Sequence, residues 1–439
     1  MTNSAAADSL IVIRGRGRVS ALGPMLPNAA ALVPAFHMRE LPGRAVAVGR
    51  VPLAVEEDLQ QLRRAHAPYR QLDRTVLLAL LAARQATAQA GWPLHPASPS
   101  LQADSKLLQG DRYALQPAST SLPLTTDNQP PTTTLAVSIG SSRGATGRME
   151  QFHEEFLAAG AVPAAASPLT TMGNVASWVA YDAGTTGGAA LSHSSTCSSA
   201  FQALGNALAW LRAGMADRFL AGGTEAPLTD FTLAQMQALG IYSPFAATEF
   251  PCRPGAGRPS TFVLGEGAAV FALEKVSREA LAAERASQPT APVFCLEGVG
   301  FGFEAIGSKT GLSADGQHFQ TAMREALRQA GTAPETVDAV VLHSPGTPAG
   351  DAAERAALRA VFGENLPDLV SNKWLLGHTL GASAALSLDF ACEILTSQQW
   401  PAPPFATDLT PAPTRPIRRV LINAAGFGGN AASALVSVV

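Results

Sequence analysis

The sequence has only four cysteines, Cys197, Cys252, Cys295 and Cys392, set far apart. They form no metal-type pair and no disulfide framework, which excludes a small stapled secreted fold and suits a reducing compartment. Charge of one sign is also lacking, since 31 basic residues face 34 acidic ones for a net charge of −3. A nucleic-acid binder usually carries a basic excess, so no nucleic acid is expected as a partner. No uninterrupted apolar run reaches the ~18–20 residues that cross a bilayer. The N-terminus (MTNSAAADSL) lacks a basic start followed by an apolar segment. No membrane span and no signal peptide are therefore expected, and the protein reads as soluble and cytoplasmic.

Hydrophobic residues make up 47% of the 439 residues and charged ones only 15%, enough to bury a large core. Short β-branched or apolar runs alternate with alanine-rich helical stretches, the pattern of an α/β protein. Strands are expected at 9–14, 135–140, 189–194, 218–221 and 268–274. After these the theme repeats, with strands at 293–299, 339–343, 419–424 and 432–438 and helices at 316–330 and 381–395. The repetition suggests two similar halves, 1–285 and 286–439. Residues 95–134 break the pattern: 17 of these 40 are Pro, Ser or Thr, which reads as an irregular surface insertion.

Four segments carry candidate chemistry. In Ser195-Thr196-Cys197-Ser198-Ser199, a cysteine stands where a strand ends and a helix of about 198–213 begins. There the helix dipole and free backbone N–H groups favour the nucleophilic thiolate. Cys197 alone of the four is expected to have a depressed pKa; the alternative is a small cysteine packed under the helix. His343, in His343-Ser344-Pro345-Gly346-Thr347, is followed by Glu354 on a helix start. His378 follows Lys373 by five residues in a glycine-rich loop. Each histidine taken alone could be structural, but both fall at strand–helix junctions, where open α/β sheets bind ligands. The fourth segment, Asn423 to Asn430 around Gly426-Phe427-Gly428-Gly429, is either a hairpin turn or a set of backbone donors for an oxyanion. No metal ligand set is apparent.

In this order the four segments resemble the Cys-His-His branch of the β-ketoacyl-acyl carrier protein synthase family, with DRFLAGGTE (217–225), FVLGEGAA (262–269) and SPLTTMG (167–173) in support. The resemblance spans nearly the whole chain. It implies a thiolase-like α/β fold of two βαβαβ halves in five layers, α-β-α-β-α. It also implies an acyltransferase that condenses an acyl thioester with malonyl-acyl carrier protein. Cys197 would carry the acyl chain, and His343 and His378 would stabilise the enolate, with His378 neutral and donating from Nε2. Lys373 with Glu354 would orient the site. Phe427 would be the gate and, with the Cys197 amide, an oxyanion donor. Thr347 would contact the phosphopantetheine arm, Met236 would line the acyl pocket, and Thr196 would precede the nucleophile. No free cofactor is implied, since substrates ride on the carrier's phosphopantetheine. Arg63, Arg64, Arg70 and Arg74 fall where the family docks that carrier.

The resemblance further implies a homodimer, or a heterodimer with a chain-length-factor subunit, built on 169–178 and 189–194. The chain departs from the family at Ser344 and Pro345, which replace Gly-Thr of the usual His-Gly-Thr-Gly-Thr. It departs again at Ser387, where many relatives carry glutamate, in the degenerate turn 252–258, and in the insertion. These departures point to a specialised polyene or other type II polyketide enzyme rather than housekeeping fatty-acid elongation. The competing reading is a chain-length-factor-like partner without condensing activity, though such subunits usually lack the cysteine. A thiolase or starter-type synthase would need a different partner residue from Lys373 and His378.

Overall fold

The computed structural model describes residues 9–23, 35–92, 134–185, 187–287, 292–305, 307, 312–413 and 415–439. The Pro/Ser/Thr-rich stretch lies outside them except for Thr134. Strands β1 (Ser9–Ser20), β2 (His37–Leu41), β3 (Arg44–Gly49), β4 (Leu135–Gly140), β5 (Ala190–His193), β6 (Arg218–Glu225), β7 (Leu264–Gly265) and β8 (Gly267–Ser277) form the first half. The second half holds β9 (Phe294–Phe303), β10 (Ala339–Val341), β11 (Asp368–Val370), β12 (Arg419–Gly426) and β13 (Asn430–Val438).

Ten of these strands run in the order β11-β10-β12-β13-β9-β1-β8-β6-β4-β5. This is one five-strand pattern written twice. In the first half β1 pairs antiparallel with β8, β8 antiparallel with β6, β6 parallel with β4, and β4 parallel with β5. In the second half β9, β13, β12, β10 and β11 repeat the same sequence of pairings. The halves meet where β1 pairs antiparallel with β9 at Val12–Cys295 and Ile13–Phe294. The repetition read from the sequence is thus a repeated topology, and the 285/286 boundary falls within the helix Arg278–Ser287 that follows β8.

Period-two alternation decides the layers. On β12, Val420, Ile422 and Ala424 face a central core while Leu421 and Ala425 face an outer one. On β8, Ala269, Phe271 and Leu273 face the same central core, and Ala268, Val270 and Ala272 face the outer layer of the first half. The central layer is made by helices Ser199–Ala213 and Ser383–Ser397, so both halves share one core. Helix Arg74–Gln89 covers the first sheet and helix Gln317–Ala330 the second, which completes five layers. Gly15 and Gly17 on β1 let the first of these helices approach closely, because a Cβ at either would strike the carbonyls of Ala86 or Ala82.

The window Leu380–Ser397 is apolar and long enough to cross a membrane by composition, but 83% of it is buried. Leu386, Leu388 and Ile394 pack between the two sheets there, each leucine contributing about 1.5–3 kcal/mol by burial. Several strands extend beyond their expected ends, with β1 reaching Ser20 and β6 reaching Glu225. β10, by contrast, stops at Val341, so His343 stands in the loop beyond it.

Candidate active site

Cys197 occupies an elbow between β5 and helix Ser199–Ala213. Thr196 adopts φ 53°, a left-handed conformation disfavoured for a β-branched residue. Neighbouring serines hold the bend. The Ser195 amide donates to Ser199 Oγ (2.9 Å), and Ser198 Oγ donates to the Ser195 carbonyl (2.8 Å). Gly426 packs directly on the elbow; a Cβ there would collide with Thr196 and come within 2.8 Å of the Cys197 nitrogen. The turn after Gly426 therefore brings Phe427 beside Cys197. Among the described residues neither the Cys197 nor the Phe427 amide donates to a backbone carbonyl.

Cys197, His343, His378 and Phe427 line one cavity of about 280 Å³. The imidazole centroids of His343 and His378 lie 5.3 Å apart with planes at 85°. His378 sits on the segment around β7: its amide donates to Val263 O (2.7 Å) and its carbonyl accepts from Gly265 N (3.0 Å). The Leu380 amide donates to His378 Nδ1 at 3.0 Å. Nδ1 is thus the acceptor, and the proton of the neutral ring stands on Nε2. Burial, then the Lys373 charge, lowers the His378 pKa to about 3, and burial, then His378 and Lys373, hold His343 well below its ordinary value. Both rings are neutral near pH 7.

Glu354, fully buried, fastens the His343 loop. Oε1 accepts from the His343 amide (2.8 Å) and Asn423 Nδ2 (3.1 Å), and Oε2 from the amide and hydroxyl of Ser344 (both 2.8 Å). Asp351 shapes the next turn by accepting from the Gly255 and Gly346 amides. Thr347, Met236 and Pro345 line the cavity, so the proline that replaces the family's threonine adds an apolar wall.

Two expectations are corrected. The Cys197 thiol is not depressed: burial, followed by the Glu225 charge, pushes it up to about 12, against the opposing pull of Lys373 and Arg143. Cys252 and Cys392 are likewise pushed to about 12 and Cys295 to about 11, so Cys197 differs by its place in the cavity and not by its resting ionisation. The Lys373 Nζ donates to Asn372 Oδ1 and Ser387 Oγ, each at 3.2 Å, while the Glu354 oxygens are taken by the His343 loop and Asn423. Arg74 is not a free docking charge, because it is paired inward with Glu266 (2.7 Å) and Glu56 (2.6 Å). Arg64 and Arg70 are exposed and Arg63 is half-buried, with Arg148 beside them donating to the Arg70 carbonyl.

Sequence reasoning gave no role to Glu225. Its carboxylate accepts from Ser141 Oγ and from the Ser142, Arg143 and Gly381 amides, which joins the β4 turn to the loop after His378. Its position at the end of GGTE was the available signal. Leu380, with φ 43°, left no signal at all.

A doubled α/β core with a cysteine elbow and two neutral histidines on one cavity defines the thiolase-like class. Residues 112–279 match the β-ketoacyl synthase N-terminal domain and residues 294–404 the C-terminal domain. The 3-oxoacyl-[acyl-carrier-protein] synthase 2 of Coxiella burnetii is 30% identical over 326 residues, which cover 70% of this chain and 75% of that protein. Two solved structures superpose along the whole fold. The ishigamide ketosynthase/chain length factor does so with TM-score 0.75 and 22% identity, covering 98% of this chain and 99% of that one. The ketosynthase of a type II PKS, AntDE:AntF, in complex with its acyl-carrier protein does so with TM-score 0.74 and 22% identity, covering 98% and 100%. The chain belongs to the β-ketoacyl synthase family of acyltransferases.

Proposed function

We propose that this protein is a condensing ketosynthase that joins an acyl thioester to malonyl-acyl carrier protein by decarboxylative Claisen condensation, in specialised polyene or other type II polyketide elongation or a related fatty-acid-like chain. The observation that carries this is the convergence of Cys197 and two neutral histidines on one cavity, with the His378 proton placed on Nε2.

In the first half-reaction Cys197 sulfur attacks the acyl thioester carbonyl, the carrier thiol leaves, and the cysteine proton passes to it. In the second, Nε2–H of His378 and the His343 ring stabilise the enolate oxygen as the malonyl carboxylate departs as CO2. The enolate carbon then attacks the acyl-Cys197 carbonyl. The Cys197 and Phe427 amides hold the oxyanion, which collapses to the β-ketoacyl thioester and releases Cys197. Lys373 and Glu354 act by charge and by loop fixation, Met236 and Thr347 border the acyl and pantetheine sides, and Thr196 sets the elbow. Arg63, Arg64 and Arg70, joined by Arg148, form the patch offered to the acidic carrier. A homodimer or a heterodimer with a chain-length-factor subunit is supported by the exposed apolar side chains Met149, Phe156, Leu157, Met172 and Tyr181 in the segment between β4 and edge strand β5.

The test uses two assays: intact mass of the acyl-enzyme and CO2 release from malonyl-acyl carrier protein. Cys197→Ala is expected to take no acyl group yet still release CO2. His378→Ala should still be acylated, with decarboxylation reduced about 10²–10³-fold, the usual effect of losing one oxyanion donor. A wild-type protein that accepts no acyl group from any carrier thioester would instead be a chain-length-factor-like partner.

A further inference from the structure

The ladder between β9 and β13 reaches Phe303–Asn430, and one further bond carries it into the turn that holds Phe427. The Glu304 amide donates to the Gly429 carbonyl at 2.9 Å. Gly429, at φ 79°, lies flat on this residue; a Cβ there would come within 2.0 Å of the Glu304 carbonyl oxygen. At the other end of the turn, Gly426 rests on the Thr196–Cys197 elbow. Phe427 is therefore held between two supports, the cysteine elbow and the Glu304 backbone.

Glu304 is itself fastened by its side chain. Oε2 accepts from Ser313 Oγ (2.7 Å) and lies 3.1 Å from His318 Nδ1. A carboxylate only accepts, so Nδ1 carries the proton of the neutral ring. His318 is fully buried, and its Nε2 has no partner among the described residues. Protonating Nε2 would add a buried N–H without an acceptor, and burial, against the pull of Glu304, keeps the His318 pKa below its ordinary value. The ring is thus neutral near pH 7 and donates to Glu304 alone. Both donors are tied to the start of helix Gln317–Ala330, since His318 is its second residue and the Gln317 amide donates to Ser313 Oγ (3.2 Å). Gly302 lets that helix close on β9, because a Cβ there would meet the His318 carbonyl oxygen at 1.9 Å.

We propose that Glu304, held by Ser313 and His318, is a positioning residue for acyl transfer: through its backbone it fixes the turn 426–429 and so the place of the Phe427 amide beside Cys197. The inference rests on the reading of Cys197 as the acyl carrier and of the Phe427 amide as an oxyanion donor. It separates the two half-reactions, because the histidine pair that serves CO2 release has no bond to Glu304. Phe319 stands between His318 and His343, with ring centroids 4.7 and 6.1 Å from theirs, so the test is made at Glu304 and not at His318.

The experiment measures, on the full chain, the rate of acyl-enzyme formation from an acyl-carrier thioester and of CO2 release from malonyl-acyl carrier protein. Glu304→Leu should slow acylation roughly 10²-fold, the cost of about an ångström of misplacement, and leave CO2 release unchanged. Glu304→Gln keeps an acceptor oxygen for both donors and should be acylated as wild type is. Hydrogen exchange at the amide of residue 304, read by mass spectrometry, reports the bond to Gly429 without any chemistry; its protection should fall about tenfold or more in Glu304→Leu and hold in Glu304→Gln. Unchanged acylation in Glu304→Leu overturns the proposal, as does equal loss in both half-reactions or a Glu304→Gln as slow as Glu304→Leu. If Glu304→Leu fails to fold by circular dichroism, Ser313→Ala, which removes one of the two bonds, decides by the same split. A wild type that forms no acyl-enzyme refutes the ketosynthase reading, and exchange at residue 304 then decides whether the side chain holds the turn.

Discussion

Glu354→Gln isolates what holds His343 in place. All four acceptor positions of the Glu354 carboxylate are occupied in a fully buried setting, by the His343 amide, the Ser344 amide and hydroxyl, and Asn423 Nδ2. Glutamine keeps the shape but offers one acceptor oxygen and one NH2 group. With its oxygen toward His343, the NH2 faces the Ser344 amide, a donor against a donor. With the amide flipped, it faces both the His343 amide and Asn423. The better orientation leaves one buried backbone N–H without an acceptor and turns charge-assisted bonds into neutral ones. Together these cost about 2–4 kcal/mol. Because 1.4 kcal/mol is tenfold, hydrogen-exchange protection of the His343–Ser344 amides should fall about 30- to 1,000-fold while the β12–β13 amides retain theirs. The His343 ring would lose its fixed place against His378, so CO2 release should fall as well. Protection of the His343 amide within threefold of wild type would refute the claim that Glu354 is the fastener.

Gly426→Ala should cut condensation by about 10²–10³-fold, because its Cβ displaces the Phe427 amide from the Cys197 elbow; unchanged turnover with acyl-carrier substrates would remove Phe427 from the oxyanion site. The arginines divide by their partners. Arg70→Glu, at an exposed side chain, should raise KM for carrier-bound substrate and leave kcat on a small thioester unchanged. Arg74→Ala strands the buried Glu266 and should lower stability by about 2–3 kcal/mol, discounted for partial exposure, as read by urea denaturation. Equal KM effects for both arginines would mean that Arg74 is free after all.

Much of the site was legible because its signals are local. The cysteine between a strand run and an alanine-rich helix, His343 just beyond a strand, His378 in its glycine-rich loop and the glycine turn around Phe427 are each written within ten residues. The repeat was visible as apolar strand runs alternating with alanine-rich helical stretches, although β11, only three residues long, was not expected. Arg74 was misread because its neighbours in sequence are arginines on a helix face, whereas its partner Glu266 lies 192 residues away. The thiol was misread because local context shows the helix end and hides the burial.

By itself the sequence determined the residue types, their order along two α/β halves and the cysteine elbow with its serine supports, since these depend on short-range propensity and periodicity. Only the tertiary structure decided the ionic states. The Leu380 amide fixes the His378 tautomer, Glu225 accepts from the Gly381 amide 156 residues away, and Ser387, not Glu354, meets Lys373. Charge and protonation follow from which groups are buried together and which acceptors are already taken, and those facts exist only once distant segments pack.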